Sequence, residues 1–313
     1  MIYLLRIDDS TQVAVYEAAI RTPGDILYSS KHYLPNIGVI TNIGVDHLDR
    51  CKTIEGYINT KAEMLSVIPE GGTLILNADD ENTRKIDKSV CKGRIIYFGI
   101  DTPCLFQASH ISYGNKGMNF TLTLNKMKYR IFVPGYGIHQ VYNALAALAV
   151  THELGIGISE AAKALASFEL LTNHCEMKKG LNQSTIIDDT WSTNPTSLDA
   201  ALNTLCGLNN QHKKVALIGH IKQLGDHAAD YHKKVGRMIA QFNIDYLITS
   251  EELANIIADE CSLSGFKGQI FKFEQTEGVC DLLTSILDEE TTILIKCSMF
   301  DYDIKKLVEP ITL

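Results

Sequence analysis

The chain has no C-x-x-C pair, no apolar run of the ~18 residues a membrane span needs, and no excess of positive charge. It also contains no G-x-x-x-x-G-K-[ST] loop and no G-x-G-x-x-G. Each absence excludes something. Without paired cysteine spacings, the eight thiols at 51, 91, 104, 175, 206, 261, 280 and 297 form neither a zinc cluster nor a redox motif. Thiols scattered in this way suit a reducing cytoplasm. The net charge of −8 argues against a broad basic surface for nucleic acid. Met1 to Arg6 is too short for a signal peptide and runs straight into acidic residues. No dinucleotide fingerprint follows any strand, so a dinucleotide cofactor is not supported.

What is present is an ordinary globular composition, 45% hydrophobic over 313 residues, enough for about two domains. The first part alternates apolar β-rich runs with helical patterns. Strands are expected at Val13 to Ala18, Ile37 to Thr41, Thr73 to Leu76 and Arg94 to Phe98, with a short helix over Gly24 to Ser30 and a longer one from about Ile54 to Val67. That order predicts a mostly parallel sheet covered by helices. Phe106 to Tyr113, Asn119 to Leu124 and Lys128 to Val133 are separated by Gly114-Asn115-Lys116-Gly117 and Asn125-Lys126, which reads as an antiparallel meander. Helices follow at His139 to Leu154 and Ser159 to Ser167.

A second βα series begins after a boundary near Leu170 to Asn173. Strands are expected at Ser184 to Asp188, Lys214 to Gly219, Tyr246 to Thr249, Gln269 to Phe271 and Thr292 to Lys296. Helices are expected at Pro195 to Leu205, Asp226 to Gln241, Glu251 to Cys261, Thr276 to Leu287 and Asp301 to Val308. The fold class is therefore α/β: an incomplete, mostly parallel sheet with an added meander over residues 1–171, then a Rossmann-like unit over 172–313.

The residues that can carry chemistry sit at strand ends. Ile37 to Ile40 delivers Thr41-Asn42-Ile43-Gly44-Val45-Asp46-His47-Leu48-Asp49 to the loop beyond its carboxyl end, where open α/β sheets bind ligands. Lys61 follows on the next helix, and Asn77-Ala78-Asp79-Asp80 ends the next strand. An Asp, a His and a Lys at one crevice suit a divalent metal and a phosphorylated ligand. Read alone, Glu17 is also a solvated carboxylate at a strand end, Lys61 an exposed helical lysine, and Asn77 to Asp80 a helix cap.

These segments, in this order, resemble the Mur ligase family, the ATP-dependent amide ligases of peptidoglycan synthesis, which has a TN-x-x-x-D-H-L-D loop, a downstream lysine that becomes carbamylated, and an N-x-D-D turn. Two further segments agree. Gly137-Ile138-His139-Gln140-Val141-Tyr142-Asn143-Ala144-Leu145-Ala146-Ala147 is similar to G-x-H-N-x-x-N-x-L-A-A, with Gln140 for the first Asn. Ile187-Asp188-Asp189-Thr190-Trp191-Ser192-Thr193-Asn194-Pro195-Thr196-Ser197 is similar to D-D-x-Y-N-A-N-P-x-S, typical of the MurF branch, which adds D-alanyl-D-alanine.

The resemblance implies a central ATP-binding domain (1–171) and a C-terminal Rossmann-like domain (172–313). It implies Mg²⁺ held by Glu17, His47 and Lys61, these three being catalytic, and nucleotide contacts from Asn77, Gln140, Asn143, His174 and Asp189. A carbamate at Lys61 needs the neutral amine, so its pKa must be depressed. It implies a γ-phosphate transfer from ATP to a small-molecule or peptide carboxylate, then attack by an amino substrate. Departures are equally plain. The family's G-R-x-E is Asn173-His174-Cys175-Glu176, its G-D-M-x-E-L-G is Gly219-His220-Ile221-Lys222-Gln223-Leu224-Gly225, and its K-G-S-R is Lys296-Cys297-Ser298-Met299. Trp191, where Tyr is usual, reads as a packing residue. His220, His227 and His232 could suggest a metal cluster, but the last two are five apart and not on one helix face.

The family's phosphate loop would precede Val13. Its absence from these residues reads as a ligase polypeptide that begins partway through its central domain. The alternatives are a non-catalytic remnant, a regulatory or binding subunit, or half of a split enzyme whose partner chain carries the loop. An uncovered sheet edge would then favour poor solubility or a homodimer.

Overall fold

Buried apolar runs at residues 74–76, 215–218 and 293–295 set the central strands. The computed structural model describes residues 7–208, 211–276 and 278–312; Met1 to Arg6, read above as too short for a signal peptide, lies outside them. In chain order the first part forms α1 (Asp25–Ser29), β1 (Ile37–Ile40), α2 (Leu48–Cys51), α3 (Ile54–Ala62), α4 (Met64–Val67), β2 (Thr73–Asn77), α5 (Glu81–Lys85) and β3 (Arg94–Gly99). It continues with β4 (Phe106–Gly114), β5 (Gly117–Leu124), β6 (Met127–Pro134), α6 (Ile138–Glu153) and α7 (Ile158–Ala166). These six strands make one sheet in sequence order, β1 to β6. The pairs β1–β2, β2–β3 and β3–β4 are parallel, and the meander β4–β5–β6 is antiparallel. At the β5–β6 turn Asn125 and Lys126 have φ of 50° and 65°. Two left-handed residues are what a two-residue type I′ hairpin requires. The alanines of α6 let it lie close on this sheet, burying Ala144, Leu145, Leu148 and Ala149 against Phe98, Phe106, Met118 and Leu122.

The second part forms β7 (Glu176–Lys179), β8 (Thr185–Asp189), α8 (Pro195–Gly207), β9 (Lys213–Ile218), α9 (Ala228–Ile239), β10 (Tyr246–Ser250) and α10 (Glu252–Leu263). It ends with β11 (Gln269–Phe273), α11 (Val279–Ile286), β12 (Thr291–Lys296) and α12 (Tyr302–Ile311). The sheet order is β11-β10-β9-β12-β8-β7, parallel except for β7. Its inner strands β9, β10 and β12 read as continuous buried runs because both faces are covered. Val215, Leu217, Ile293 and Ile295 face Val279, Leu283, Ile304 and Leu307 of α11 and α12. The alternating residues Ala216, Ile218 and Leu294 face Leu198, Leu202, Val235 and Ile257 of α8, α9 and α10.

Three expectations need correction. Val13 to Ala18 is not a strand: the segment pairs with no sheet among the described residues, and Val13 and Val15 are 52% and 88% exposed. Extended backbone becomes a strand only when a neighbour takes its hydrogen bonds, and the described residues offer none there. Glu17 therefore lies on an irregular exposed segment and not at a strand end. The helix expected over Ile54 to Val67 is interrupted at Glu63, whose carboxylate accepts the N–H of Gly24 (2.8 Å). The helix expected from Thr276 begins at Val279, with residue 277 outside the described set.

Candidate functional site

A cleft of about 1110 Å³ opens between the two sheets. Its first wall is the loop after β1. Three side chains from the β2–α5 turn hold that loop: Asn77 Nδ2 donates to Thr41 O (3.0 Å), Asn82 Nδ2 donates to Ile43 O (2.7 Å), and Asp80 Oδ2 accepts from Ile43 N (3.2 Å). Asp80 also caps α5 by accepting Thr83 N (2.7 Å). The cap reading of this turn is thus correct for Asp80. Asn77 lines the cleft, but both ends of its amide are engaged, since Oδ1 accepts from Asp79 N (2.9 Å). Asp79 accepts the N–H groups of Ile100, Asp101 and Thr102 and the hydroxyl of Tyr142 (2.9 Å). Burial would raise its pKa, but these backbone donors outweigh burial and hold it below the usual carboxylate value.

Lys61 enters the cleft from α3 with its Nζ 5.1 Å from the centre of the Tyr57 ring. Burial pushes its pKa down, against the opposing pull of Asp46, Cys51, Glu17 and Asp25. It does not project into open solvent. His47 is not part of the cleft lining. It sits behind Tyr57, ring centres 6.0 Å apart, in a left-handed backbone conformation (φ 50°). Its Nδ1 is buried with no hydrogen-bond partner among the described residues. Burial lowers its pKa most, Asp46 raises it and Lys61 lowers it. Glu17 also lies outside the lining, yet close enough for its charge to act on Lys61.

The opposite wall comes from α6 and the second sheet. Gly137 starts α6 at φ 106°, and a Cβ there would fall 2.3 Å from Thr204 Oγ1, so only glycine fits. Gln140 and Asn143 face the cleft, the latter exposed. His139, one helical turn before Asn143, has a buried Nδ1 with no hydrogen-bond partner among the described residues. Burial lowers its pKa, with Asp189 raising it and Lys296 lowering it.

Asp189 ends β8 and Lys296 ends β12, in register. Lys296 Nζ donates to Asp189 Oδ2 (2.7 Å) and to Ser192 O (2.7 Å), and its side chain is 2% exposed. Asp189 thus meets the cleft as half of a buried ion pair. Trp191, read from the sequence as a packing residue, lies against a neighbouring ring at the edge of the cleft. It is 44% exposed on the cleft wall, 5.2 Å from the His174 ring. His174 is oriented by Thr172 O at 2.7 Å from Nδ1.

The two parts are joined at this edge. Asn194 caps α8 in a reciprocal box with Ser197, and its Nδ2 also reaches Asp46 Oδ2 (3.4 Å). Asp46 Oδ1 in turn accepts His47 N (2.8 Å).

Of the eight expected site residues, Lys61, Asn77, Gln140, Asn143, His174 and Asp189 therefore line one cleft, while Glu17 and His47 border it. His139, Tyr142, Trp191 and Lys296 were not expected there. The i, i+4 spacing of His139 and Asn143 on one helix face was a signal for the first. Nothing local marks the burial of Lys296.

An open sheet with loops at its strand ends, faced by a doubly wound second sheet, places the cleft where open α/β sheets bind ligands. The particular family is shown by sequence: the Mur ligase middle domain matches residues 2–151, and the Mur ligase, glutamate ligase domain matches residues 175–299. The chain belongs to the Mur ligase family. It is 28% identical over 295 residues to the UDP-N-acetylmuramoyl-tripeptide–D-alanyl-D-alanine ligase of Bacillus subtilis, covering 94% of this chain and 63% of that protein. Among solved structures, MurF from Acinetobacter baumannii superimposes with a TM-score of 0.88 at 26% identity, covering 98% of this chain and 67% of that one. MurF ligase from Thermotoga maritima in complex with ADP superimposes with a TM-score of 0.80 at 22% identity, covering 94% and 65%. The chain thus spans somewhat less than two thirds of the length of its Bacillus relative.

Proposed function

We propose that the chain provides the central and C-terminal domains, meeting near residues 171 and 172, of an ATP-dependent acid–amino acid ligase of the MurF type. The observation that carries this reading is the gathering of Lys61, Asn143, His174 and Asp189 on one interdomain cleft. That a relative of the same fold was solved in complex with ADP agrees with a nucleotide ligand. On this reading Asn77, Gln140, Asn143, His174 and Asp189 surround the nucleotide, with Asn77 acting through the loop it braces. The substrates are a small-molecule or peptide carboxylate and an amino compound, and the setting is cytoplasmic cell-wall synthesis, which eight unpaired cysteines suit.

The donor set near Lys61 fits Mg²⁺. Carboxylate oxygens of Glu17 and Asp46 and a carbamate on Lys61, whose neutral amine burial favours, would give Mg²⁺ the oxygen ligands it prefers, with His47 beside them holding a buried nitrogen that has no hydrogen-bond partner among the described residues. When bound, Mg²⁺ neutralises phosphate charge. The chain's own residues hold the nucleotide and align the reacting carboxylate and amine, and that alignment supplies much of the rate. Among the described residues no helix is long and apolar enough to cross a membrane.

Calorimetric titration with ATP and Mg²⁺, using AMP as the control, tests the reading. Binding of ATP much tighter than AMP, together with a ¹³C-bicarbonate carbamate signal lost in Lys61→Arg, is the expected result. Equal weak binding of both nucleotides would overturn it. The replacements at Gln140, His174 and Met299 favour a second reading, in which the chain binds nucleotide as a regulatory subunit, as a homodimer, or with a partner chain that completes the phosphate site. ATP binding without phosphate release would then be the outcome.

A further inference from the structure

Three strands that are neighbours in the second sheet, β10, β9 and β12, end side by side. Each sends one metal-binding side chain into the space beyond: His220 two residues after β9, Glu251 directly after β10, and Asp301 five residues after β12. One ligand atom from each lies within 4.8 Å of the others. None of the three lines the large cleft.

His220 Nδ1 is hydrogen-bonded to Glu251 Oε2. Asp301 is 3% exposed, and its Oδ2 has no hydrogen-bond partner among the described residues, while Oδ1 accepts only a long contact from Ile304 N (3.3 Å). A buried carboxylate oxygen without a donor is costly unless a positive group meets it. Burial and the Glu251 charge both push the Asp301 carboxyl upward, as expected for two acids facing one empty point. Gly219 makes the space: a Cβ there would fall 2.5 Å from Asp301 Oδ2. The other nearby histidines are committed elsewhere. His232 Nε2 accepts Ile221 N (3.0 Å) and its Nδ1 donates to Ala228 O (2.6 Å), while His227 Nε2 reaches Lys52 O (2.8 Å).

We propose that His220, Glu251 and Asp301 form a second, separate site for a divalent transition cation. One imidazole and two carboxylates suit Mn²⁺ or Zn²⁺, whereas Mg²⁺ favours oxygen ligands in an octahedron. His220 stands where the family pattern has Asp, so the nitrogen ligand is a feature of this chain. The cation would pin the loop that follows His220. That loop docks on the first domain: Asp49 N donates to Gln223 O (3.2 Å), and His227 meets Lys52 O. The site thus braces the contact beside His47 without entering the cleft.

Mn²⁺ is the probe, because it has little affinity for the eight thiols that would confuse a Zn²⁺ titration. The chelator-stripped 313-residue chain is titrated with Mn²⁺ in excess Mg²⁺, which occupies the Lys61 region, and free Mn²⁺ is read by electron paramagnetic resonance. The expected result is one tightly held Mn²⁺ per chain, weakened about tenfold or more by His220→Ala and by Asp301→Asn and unchanged by His47→Ala. Circular dichroism checks that the variants fold, and the near-isosteric Glu251→Gln replaces any that does not. No Mn²⁺ held in excess Mg²⁺, or equal binding by the folded variants, would overturn the proposal and leave a hydrogen-bonded cluster with a protonated Asp301.

Discussion

Replacing Lys296 by Met keeps the length and apolar stem of the side chain and deletes only its charge. Lys296 Nζ makes two hydrogen bonds of 2.7 Å, to Asp189 Oδ2 and Ser192 O, at a position 2% exposed. The variant strands the Asp189 carboxylate with the Cys175 thiol as its remaining contact at Oδ2, 3.4 Å away and a weak donor. Breaking a buried pair from one side costs about 3–5 kcal/mol, because a charge is left without compensation. Removing both charges, as Lys296→Met with Asp189→Leu, should recover most of that loss. Urea unfolding followed by the emission of Trp191, the chain's one tryptophan, reads this unit directly. The midpoint should fall sharply with an unchanged slope, and the double variant should return toward the parent. A loss below about 1 kcal/mol in the single variant, the size of an exposed pair, would mean that water reaches the pair and that the burial argument is wrong.

Three further outcomes follow from the same geometry. Gly44→Ala should loosen the domain contact, since its Cβ would fall 2.8 Å from the Cβ of Thr196; a destabilisation of about 1–3 kcal/mol, partly recovered by Thr196→Gly, is measurable by thermal melting. Burial lowers the pKa of His47, His139 and His232 below the ordinary 6.5. The unfolded chain then takes up protons that the fold resists, so stability should fall as pH drops below about 6.5, by up to ~1.4 kcal/mol per unit and group, and His139→Gln should flatten part of the slope. Melting curves that rise in that window would refute the assignment. ATP should change Trp191 emission on entering the cleft, and His174→Ala should alter that response; an emission spectrum indifferent to saturating nucleotide would place the ligand elsewhere.

The alternation of strands and helices was legible in the residues because a parallel sheet covered on both faces demands continuous apolar runs such as Val215 to Ile218. The meander announced itself through Gly114 to Gly117 and Asn125-Lys126, and the cap at Asn194 through the proline after it. β7 was not legible: Glu-Met-Lys-Lys has no strand pattern, and only pairing with β8 at the sheet edge makes it one. Val13 to Ala18 failed for the converse reason, having a strand's composition and no neighbouring strand among the described residues.

Family membership and the residues of the loops at 41–49, 77–80 and 187–197 follow from local motif, since each loop's chemistry is written in consecutive residues. What each side chain does was decided by tertiary structure. Asn77 braces a loop, Lys296 neutralises Asp189 from 107 positions away, Trp191 faces the cleft, and His220, Glu251 and Asp301 converge from three strand ends. Burial, and the partner that compensates it, belong to the packed chain and not to any short stretch of it.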